Sequence, residues 1–150
     1  VCVGNLCRSP MAERFLINII KKNTSINSEI EVSSAGLHKH NISVPENTIR
    51  VMSEAGVDLS DFQSKPVSNT LIENADLILT MTSNIKEDLL IMFPKASIKT
   101  FTLTEYVDVE GDVFDPYDGP IELYRDCAGI IERLVNLLTR KLSFSPSSPK

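Results

Sequence analysis

Apolar residues along this chain fall either into short continuous runs or at helical spacing, and the two patterns alternate. The run ADLILTM at residues 75–81 is nearly continuous, as in strands buried inside a parallel sheet. Three further strands are predicted: one at residues 1–3, one that begins with the alternating residues 30–33 and ends at Ala35 and Gly36, and one at residues 97–103. The first begins so abruptly that we expect its earlier part to lie outside this sequence. Late numbering, a trimmed chain and a longer parent polypeptide all fit that pattern.

Between the predicted strands, apolar residues recur at helical spacing. Ser9 is suited to be the N-cap, and Pro10 the first residue, of a helix that follows the first strand. Further helices are predicted over residues 45–55, around Ile85, Leu89 and Met92 before Pro94, and over residues 121–142 with Leu123 on the apolar side. This alternation predicts one α/β domain over residues 1–142, with helices on both faces of a parallel sheet. A disordered Ser- and Pro-rich tail is expected at residues 143–150.

Composition and charge narrow the classes of partner. The 150 residues are 42% hydrophobic, which suffices for one core, and they carry a net charge of -5 with a pI near 5.0. Lys and Arg are scattered, so neither nucleic acid nor an anionic membrane surface is an expected partner. No apolar run approaches the roughly 20 residues of a membrane span. Because three cysteines are an odd number in a chain of this size, we expect a reducing, cytoplasmic setting.

One cysteine and one arginine form the candidate chemical centre. Cys2 and Arg8 flank a loop that joins the first predicted strand to the first helix, and Gly4 and Asn5 within it tolerate unusual backbone angles. Loop N–H groups, the helix N-terminus and Arg8 would together bind an oxyanion and stabilise a thiolate at Cys2. Such a thiolate is a nucleophile aimed at phosphorus. The alternative is a structural loop with a buried thiol.

Expulsion of a leaving group requires a proton donor, and Asp115 is the candidate. It lies in VFDPYDG at residues 113–119. Pro116 restricts the backbone at Asp115 and Gly119 permits a turn, so this carboxylate would sit on a loop over the pocket. Asp115 would then take a proton from the hydrolytic water. Tyr117 either lines the pocket mouth, where it could stack on a substrate group, or packs on the last helix.

The stretch VCVGNLCRSPMAE at residues 1–13 resembles the signature of the low-molecular-weight protein tyrosine phosphatase family. Similar segments lie at residues 34–36, 75–82, 101–106 and 111–117, so the resemblance covers nearly the whole chain. It implies a three-layer αβα sandwich with a central four-stranded parallel sheet in the flavodoxin-like order 2-1-3-4. It also implies hydrolysis of a phosphorylated protein, with inorganic phosphate as product and no metal or cofactor.

The resemblance also implies roles for individual residues. Cys2 would be the nucleophile, Arg8 the phosphate clamp and Asp115 the general acid. Ser9 would donate a hydrogen bond to the thiolate, and Asn5 would brace the loop. The other expected substrate contacts are Val3, Gly4, Leu6, Cys7 and Tyr117.

Leu6 bears on the choice of substrate. At this loop position the family's tyrosine phosphatases carry a bulky aliphatic residue, whereas its bacterial arginine phosphatases carry Thr. Leu6 therefore favours phosphotyrosine. The rest of the chain resembles the arginine-phosphatase branch at least as closely, so protein arginine phosphatase is the alternative function.

The remaining cysteines and histidines have simpler interpretations. Cys7 either forms a disulfide that protects Cys2 or is a small buried loop side chain. Cys127 is expected to be a core thiol, and His38 and His40 are expected at the surface.

Two other functions are less favoured. A thioredoxin-linked arsenate reductase would need a further pair of cysteines, which this sequence lacks. A non-catalytic phosphate-binding module is disfavoured because Cys2, Arg8 and Asp115 occur together.

Overall fold

The helices and strands of the computed structural model follow the predicted alternation, with differences at most boundaries. The structure describes residues 1–23 and 30–144. Its strands are β1 (Ile78–Thr80) and β2 (Thr100–Thr102). Its helices are α1 (Arg8–Lys22), α2 (Glu46–Glu54), α3 (Asn69–Asn74), α4 (Ser83–Met92), α5 (Leu103–Tyr106) and α6 (Ile121–Phe144), with a 3₁₀ helix at Pro94–Lys99. Residues 143 and 144, predicted to begin a disordered tail, belong to α6, and the rest of that tail lies outside the described residues.

The two strands pair in parallel, and the segment that carries Cys2 lies alongside them. Ile78 is opposite Thr100 in the register of β1 and β2. On the other side of β1, the amino group of Val1 donates to the Leu79 carbonyl at 2.6 Å. Cys2 itself forms a single parallel bridge, to Gly36. The predicted first strand is therefore reduced to this bridge.

The strand predicted from residue 30 to Gly36 is present only at its end: Gly36 pairs, whereas residues 30–33 are not in a strand. Gly36 bridges both Cys2 and Pro66 in parallel. It approaches the loop after Cys2 so closely that an added Cβ would lie 2.7 Å from the carbonyl carbon of Gly4 and 2.8 Å from the nitrogen of Asn5. Any side chain at Gly36 would push that loop away, so the segments meet where the chain has none.

Both strands are shorter than their apolar runs because adjacent residues belong to helix ends. The Ala75 N–H bonds to the Leu71 carbonyl and closes α3. Pro94 begins the 3₁₀ helix that occupies the start of the strand predicted at residues 97–103. A capping box between Thr102 and Glu105 starts α5 directly after β2.

Several helix positions also differ from the prediction. α1 begins at Arg8 with Cys7 as its N-cap, so the predicted N-cap at Ser9 is wrong. The Ser9 hydroxyl lies within hydrogen-bonding distance of the Cys2 thiol instead. Met92 and Leu123, predicted to face the core, are 48% and 40% exposed. Met92 ends α4 and Leu123 lies in the first turn of α6, so both positions lie at the margins of the packed faces.

The core lies where α1 and α2 pack on α6 and where α4 packs on the strands. Its most deeply buried side chains include Met11, Met52, Leu89, Ile131 and Leu134. Packing of α1 against α6 brings the loops that precede these two helices together, and the candidate site lies between those loops. Among the residues that the structure describes, no helix is long and apolar enough to cross a membrane.

Candidate active site

The loop from Cys2 to Arg8 wraps its backbone around the Cys2 thiol. Asn5 adopts a left-handed conformation with φ of 55°, which asparagine tolerates better than most residues. Its N–H thereby donates to Cys2 Sγ at 3.2 Å. Of the two residues predicted to take unusual backbone angles, Asn5 has a positive φ, whereas Gly4 is not among the residues with one.

A chain of hydrogen bonds determines which way the Ser9 hydroxyl points. The amide nitrogen of Asn5 can only donate, and it donates to Ser9 Oγ and to Ser34 Oγ, both at 2.9 Å. Ser34 in turn donates to the Glu13 carboxylate at 2.6 Å. Because the Asn5 amide donates to the Ser9 oxygen, the Ser9 proton is directed at Cys2 Sγ, 3.0 Å away. Two donors therefore point at this sulfur.

Asn5 also connects the loop to the chain beyond Gly36. It is fully buried, and its side-chain oxygen accepts from the Lys65 N–H at 3.0 Å. The Ser64 hydroxyl donates to the Asn5 carbonyl at 2.7 Å. Every polar group of this side chain is thus paired with a protein group. The structure places Asn5 behind the loop, in the position expected of a brace.

The Arg8 guanidinium joins the loop to the segment that carries Asp115. It is 4% exposed and donates to the Val113 carbonyl at 3.0 Å. Its other terminal nitrogen donates to Asp115 Oδ2 at 2.8 Å. The second oxygen of Asp115 accepts from the Tyr117 N–H at 3.2 Å. The thiol of Cys2 and the guanidinium of Arg8 therefore meet a carboxylate that lies more than 100 positions further along the sequence.

A cleft of about 140 Å³ lies over this loop. Eight of the ten predicted site residues line it: Cys2, Val3, Gly4, Leu6, Cys7, Arg8, Asp115 and Tyr117. The other two, Asn5 and Ser9, are buried and do not line the cleft. Tyr117 is 43% exposed and contributes to the cleft wall. The loop thus supplies the floor, and the Asp115 segment supplies one side.

Two residues of the cleft, His40 and Ile42, were not predicted as site residues. Both histidines of the chain are exposed, as predicted, but the His40 ring also lies against the loop. A Cβ added to Gly4 would be 2.8 Å from the Cδ2 atom of His40. The His38 N–H donates to the Val3 carbonyl at 3.0 Å and so guides the following residues past the cleft. This backbone bond has no signature in the side-chain pattern.

A larger cleft of about 460 Å³ lies between α4 and α5. Its walls include Lys86, Glu105 and Asp112, but they contain neither the thiol nor the guanidinium. Within residues 1–23 and 30–144, no group of three His, Cys, Asp or Glu side chains is placed to hold a metal ion. The smaller cleft is therefore the candidate active site, because it combines a nucleophile, an anion-binding loop and a carboxylate.

The other two cysteines are buried free thiols. Burial raises the pKa of Cys7 to about 11. Burial also raises the pKa of Cys127 to about 12. A raised pKa keeps each thiol protonated at neutral pH, and the protonated form is not nucleophilic.

We therefore expect iodoacetate at neutral pH to alkylate Cys2 and to leave Cys7 and Cys127 largely unmodified. Inorganic phosphate should slow the reaction by occupying the loop. Peptide mapping by mass spectrometry at successive times measures both effects. Alkylation of either buried cysteine as fast as Cys2 would contradict this expectation.

Comparison with known proteins agrees with the resemblance seen in the sequence. The family model described as low molecular weight phosphotyrosine protein phosphatase matches residues 1–145. The chain is 36% identical over 144 residues to a protein-arginine-phosphatase of Bacillus subtilis (strain 168), covering 95% of this chain and 93% of that protein. It is 34% identical over 134 residues to the low molecular weight protein-tyrosine-phosphatase Wzb of Escherichia coli (strain K12), covering 89% of this chain and 86% of that protein.

A solved structure shows the same similarity in three dimensions. The low molecular weight protein tyrosine phosphatase from T. tengcongensis superposes with a TM-score of 0.87 at 35% identity. The matched region covers 94% of this chain and 95% of that one. The α/β fold is thereby confirmed, and the chain belongs to the low molecular weight phosphotyrosine protein phosphatase family.

Proposed function

We propose that this chain is a protein phosphatase that hydrolyses phosphotyrosine through a cysteinyl-phosphate intermediate. One observation carries the proposal: Cys2 Sγ accepts hydrogen bonds from Ser9 and from the Asn5 N–H in the cleft that also holds Arg8 and Asp115. This arrangement favours a thiolate where a phosphate group would bind.

In the first step the Cys2 sulfur attacks phosphorus. A sulfur–phosphorus bond forms as the bond between phosphorus and the leaving oxygen breaks, and Asp115 gives its proton to that oxygen. In the second step water attacks phosphorus while Asp115 accepts a proton from it. The sulfur–phosphorus bond then breaks, which releases inorganic phosphate and restores the thiolate.

Arg8 serves both the phosphate and the acid in this mechanism. A guanidinium has five N–H donors, of which the bonds to Val113 and Asp115 use two. The other donors, the loop N–H groups and the start of α1 favour a phosphate bound beside Cys2. Because Arg8 also pairs with Asp115, a bound phosphate would lie next to the carboxyl group that protonates its leaving group.

We also propose that the sheet contains four strands in the order 2-1-3-4, with residues 1–3 as strand 1 and residues 35–37 as strand 2. Two bonds support the neighbouring places of strands 1 and 2: Cys2 N–H to Ala35 O at 3.3 Å and Leu37 N–H to Cys2 O at 2.9 Å. On the other side of strand 1, Met81 N–H donates to Val1 O at 3.0 Å, next to β1.

A cytoplasmic setting and a protein substrate complete the proposal. All three cysteines are free thiols, and the mechanism requires Cys2 to stay reduced. The net charge of -5 favours phosphorylated protein over nucleic acid as a partner. We propose residues 1–142 as one phosphatase domain, supported by the family match over residues 1–145.

Protein arginine phosphatase is the second candidate, and two observations favour it. The Bacillus subtilis relative, identical at 36% of aligned positions, is named as a protein-arginine-phosphatase. In this chain Asp115 and Tyr117 line the same cleft, where a carboxylate and an aromatic ring could pair with and stack on a guanidinium. Leu6 argues against an arginine phosphatase, because this apolar side chain lines the cleft and suits a phenyl ring better than a charged group.

We expect the wild type to hydrolyse a phosphotyrosine peptide with a higher kcat/KM than the matching phosphoarginine peptide. Leu6→Thr should shift the ratio of the two kcat/KM values toward phosphoarginine by about tenfold, because a polar side chain replaces part of an apolar wall. Phosphate release from both peptides measures the ratio.

Val3→Thr is the matched control, since Val3 lines the same cleft but is 39% exposed. It should move the ratio much less. A wild type that prefers phosphoarginine would replace the first candidate with the second. A ratio that Leu6→Thr leaves unchanged would remove Leu6 from substrate selection.

A further inference from the structure

The acid loop, defined as residues 111–119, is attached to the rest of the fold at its beginning and again in its middle, where Cys127 contacts the Phe114 carbonyl and Arg8 contacts Asp115. The Gly111 carbonyl accepts from the Thr104 hydroxyl at 2.5 Å. Two positions later, the Val113 N–H donates to the Met81 carbonyl at 2.9 Å, and the Val113 carbonyl accepts from Arg8. Val113 is almost fully buried, at 1% exposure. Backbone bonds thus hold the loop on both sides of Asp112.

Asp112 adds a side-chain attachment to α4. Its Oδ1 accepts from the Ser83 N–H at 2.9 Å and from the Ser83 hydroxyl at 3.1 Å. Ser83 is the first residue of α4, and that helix has no acidic residue in its own first turn. Asp112 therefore supplies, from a distant segment, both the acceptor and the negative charge that a helix N-terminus favours.

The start of α4 is itself connected to the segment that carries the nucleophile. The Met81 N–H donates to the Val1 carbonyl at 3.0 Å, and the Met81 carbonyl accepts from Val113. Two residues later Ser83 holds Asp112. The connection from β1 to α4 therefore contacts both the strand segment that precedes the Cys2 thiol and the loop that carries Asp115.

We propose that Asp112 is a positioning residue, which through Ser83 holds the acid loop so that Asp115 can reach the leaving group. This inference rests on the proposed function. Asp112 and Ser83 are both exposed, and the backbone bonds of Gly111 and Val113 do not depend on them. Loss of the Asp112 attachment should therefore leave the fold intact and change the placement of Asp115, which lies three residues further along.

Two variants remove the attachment from opposite ends. Asp112→Ala deletes the acceptor. Ser83→Pro deletes both donors, and proline is well tolerated at the first position of a helix. The preceding residue, Thr82, has φ of -142° and ψ of 162°, an extended conformation compatible with a following proline. If Asp112→Ala cannot be purified as a folded protein, Ser83→Pro alone decides the test.

The readout is kcat/KM for two substrates that differ in their need for a proton. This parameter covers the steps up to release of the leaving group and leaves out the later hydrolysis, in which Asp115 acts as base for both substrates. Phenyl phosphate has a poor leaving group that requires the acid, whereas p-nitrophenyl phosphate has a good one. We expect each variant to lose about tenfold in kcat/KM on phenyl phosphate and less than about twofold on p-nitrophenyl phosphate, because a small misplacement of the acid affects the step that protonates the leaving group. Inhibition by inorganic phosphate should stay within about twofold of the wild type, since the loop that binds it is untouched.

Three further variants separate positioning from general destabilisation. Asp112→Asn keeps the acceptor oxygen and should restore most of the activity on phenyl phosphate. Asp58→Ala is the matched control, because Asp58 also accepts a serine N–H, that of Ser60 at 2.9 Å, outside the acid loop. It should leave both rates unchanged. In an Asp115→Asn background, Asp112→Ala should cause no further loss.

Equal losses of kcat/KM on the two substrates, or weaker phosphate inhibition in step with that loss, would overturn the positioning role. A further loss of kcat/KM on phenyl phosphate when Asp112→Ala is added to Asp115→Asn would overturn it as well. If the wild type hydrolyses neither substrate, the proposed function fails and this inference fails with it. If the wild type is active and only the leaving-group dependence of the variants is missing, the proposed function stands and the inference alone is refuted.

Discussion

Replacement of Cys2 by serine is expected to lower the turnover of p-nitrophenyl phosphate by at least about 10⁴-fold, because a neutral hydroxyl is a far weaker nucleophile than a thiolate. Phosphate binding should persist, since Arg8 and the loop N–H groups are unchanged. Release of nitrophenolate measures the first effect, and calorimetric titration with inorganic phosphate measures the second.

Cys127→Ser is the control for this substitution. Cys127 is a fully buried thiol whose Sγ lies 3.6 Å from the Phe114 carbonyl, so the same chemical change is made outside the cleft. Its turnover should remain within about threefold of the wild type, because no step of the mechanism uses this thiol. Undiminished activity of Cys2→Ser would refute the role of Cys2. A wild type that binds phosphate but does not turn over would point instead to a phosphate-binding module.

Asp115→Asn is expected to reduce kcat/KM, which leaves out hydrolysis of the intermediate, in proportion to the proton demand of the leaving group. With phenyl phosphate the loss should be about 10²- to 10³-fold, the range typical of general acid catalysis, and with p-nitrophenyl phosphate it should be much smaller. The carbonyl oxygen of the new side chain can still accept from Arg8, so the loop should keep its place. A series of aryl phosphates measures the dependence on the leaving group.

Asp118→Asn is the matched control for this second change. Asp118 lies on the same loop, is exposed, and has φ of 60°, a backbone conformation that asparagine also tolerates. It should retain wild-type rates with every substrate. If Asp115→Asn lowers kcat/KM equally for all the aryl phosphates, or for none of them, Asp115 is not the general acid.

The part of the site that lies within one short segment could be predicted from the sequence. Cys2 and Arg8 are joined by a single loop that leads into α1, so their proximity follows from local chain geometry. The glycine and asparagine after Val3 signalled an unusual backbone, and Asn5 has the positive φ. Ser9 was predicted as an N-cap, but its hydroxyl is directed by the Asn5 amide toward Cys2. Hydrogen bonds with a neighbouring side chain here override a local capping preference.

Other features depend on segments far apart in the chain. Of the strand predicted from residue 30 to Gly36, only Gly36 pairs, because pairing depends on how closely this residue can approach Gly4 and Asn5, a matter of steric fit between segments. His40 and Ile42 enter the cleft only because a backbone bond from His38 to Val3 directs their segment there. Backbone bonds of this kind leave no mark on the hydrophobic pattern.

The sequence by itself determined the α/β class and the chemistry that the Cys2 loop can perform. A thiol, five intervening residues and an arginine between a strand and a helix predict an anion-binding nucleophile. Asp115 was a candidate acid from the sequence, but only the tertiary structure shows which groups it and its loop contact. Arg8 reaches Asp115 across 107 positions, and Ser83 reaches Asp112 across 29. The physical reason is that local spacing limits only nearby atoms, whereas the packing of α1 on α6 and of α4 beside β1 brings distant side chains within hydrogen-bonding distance.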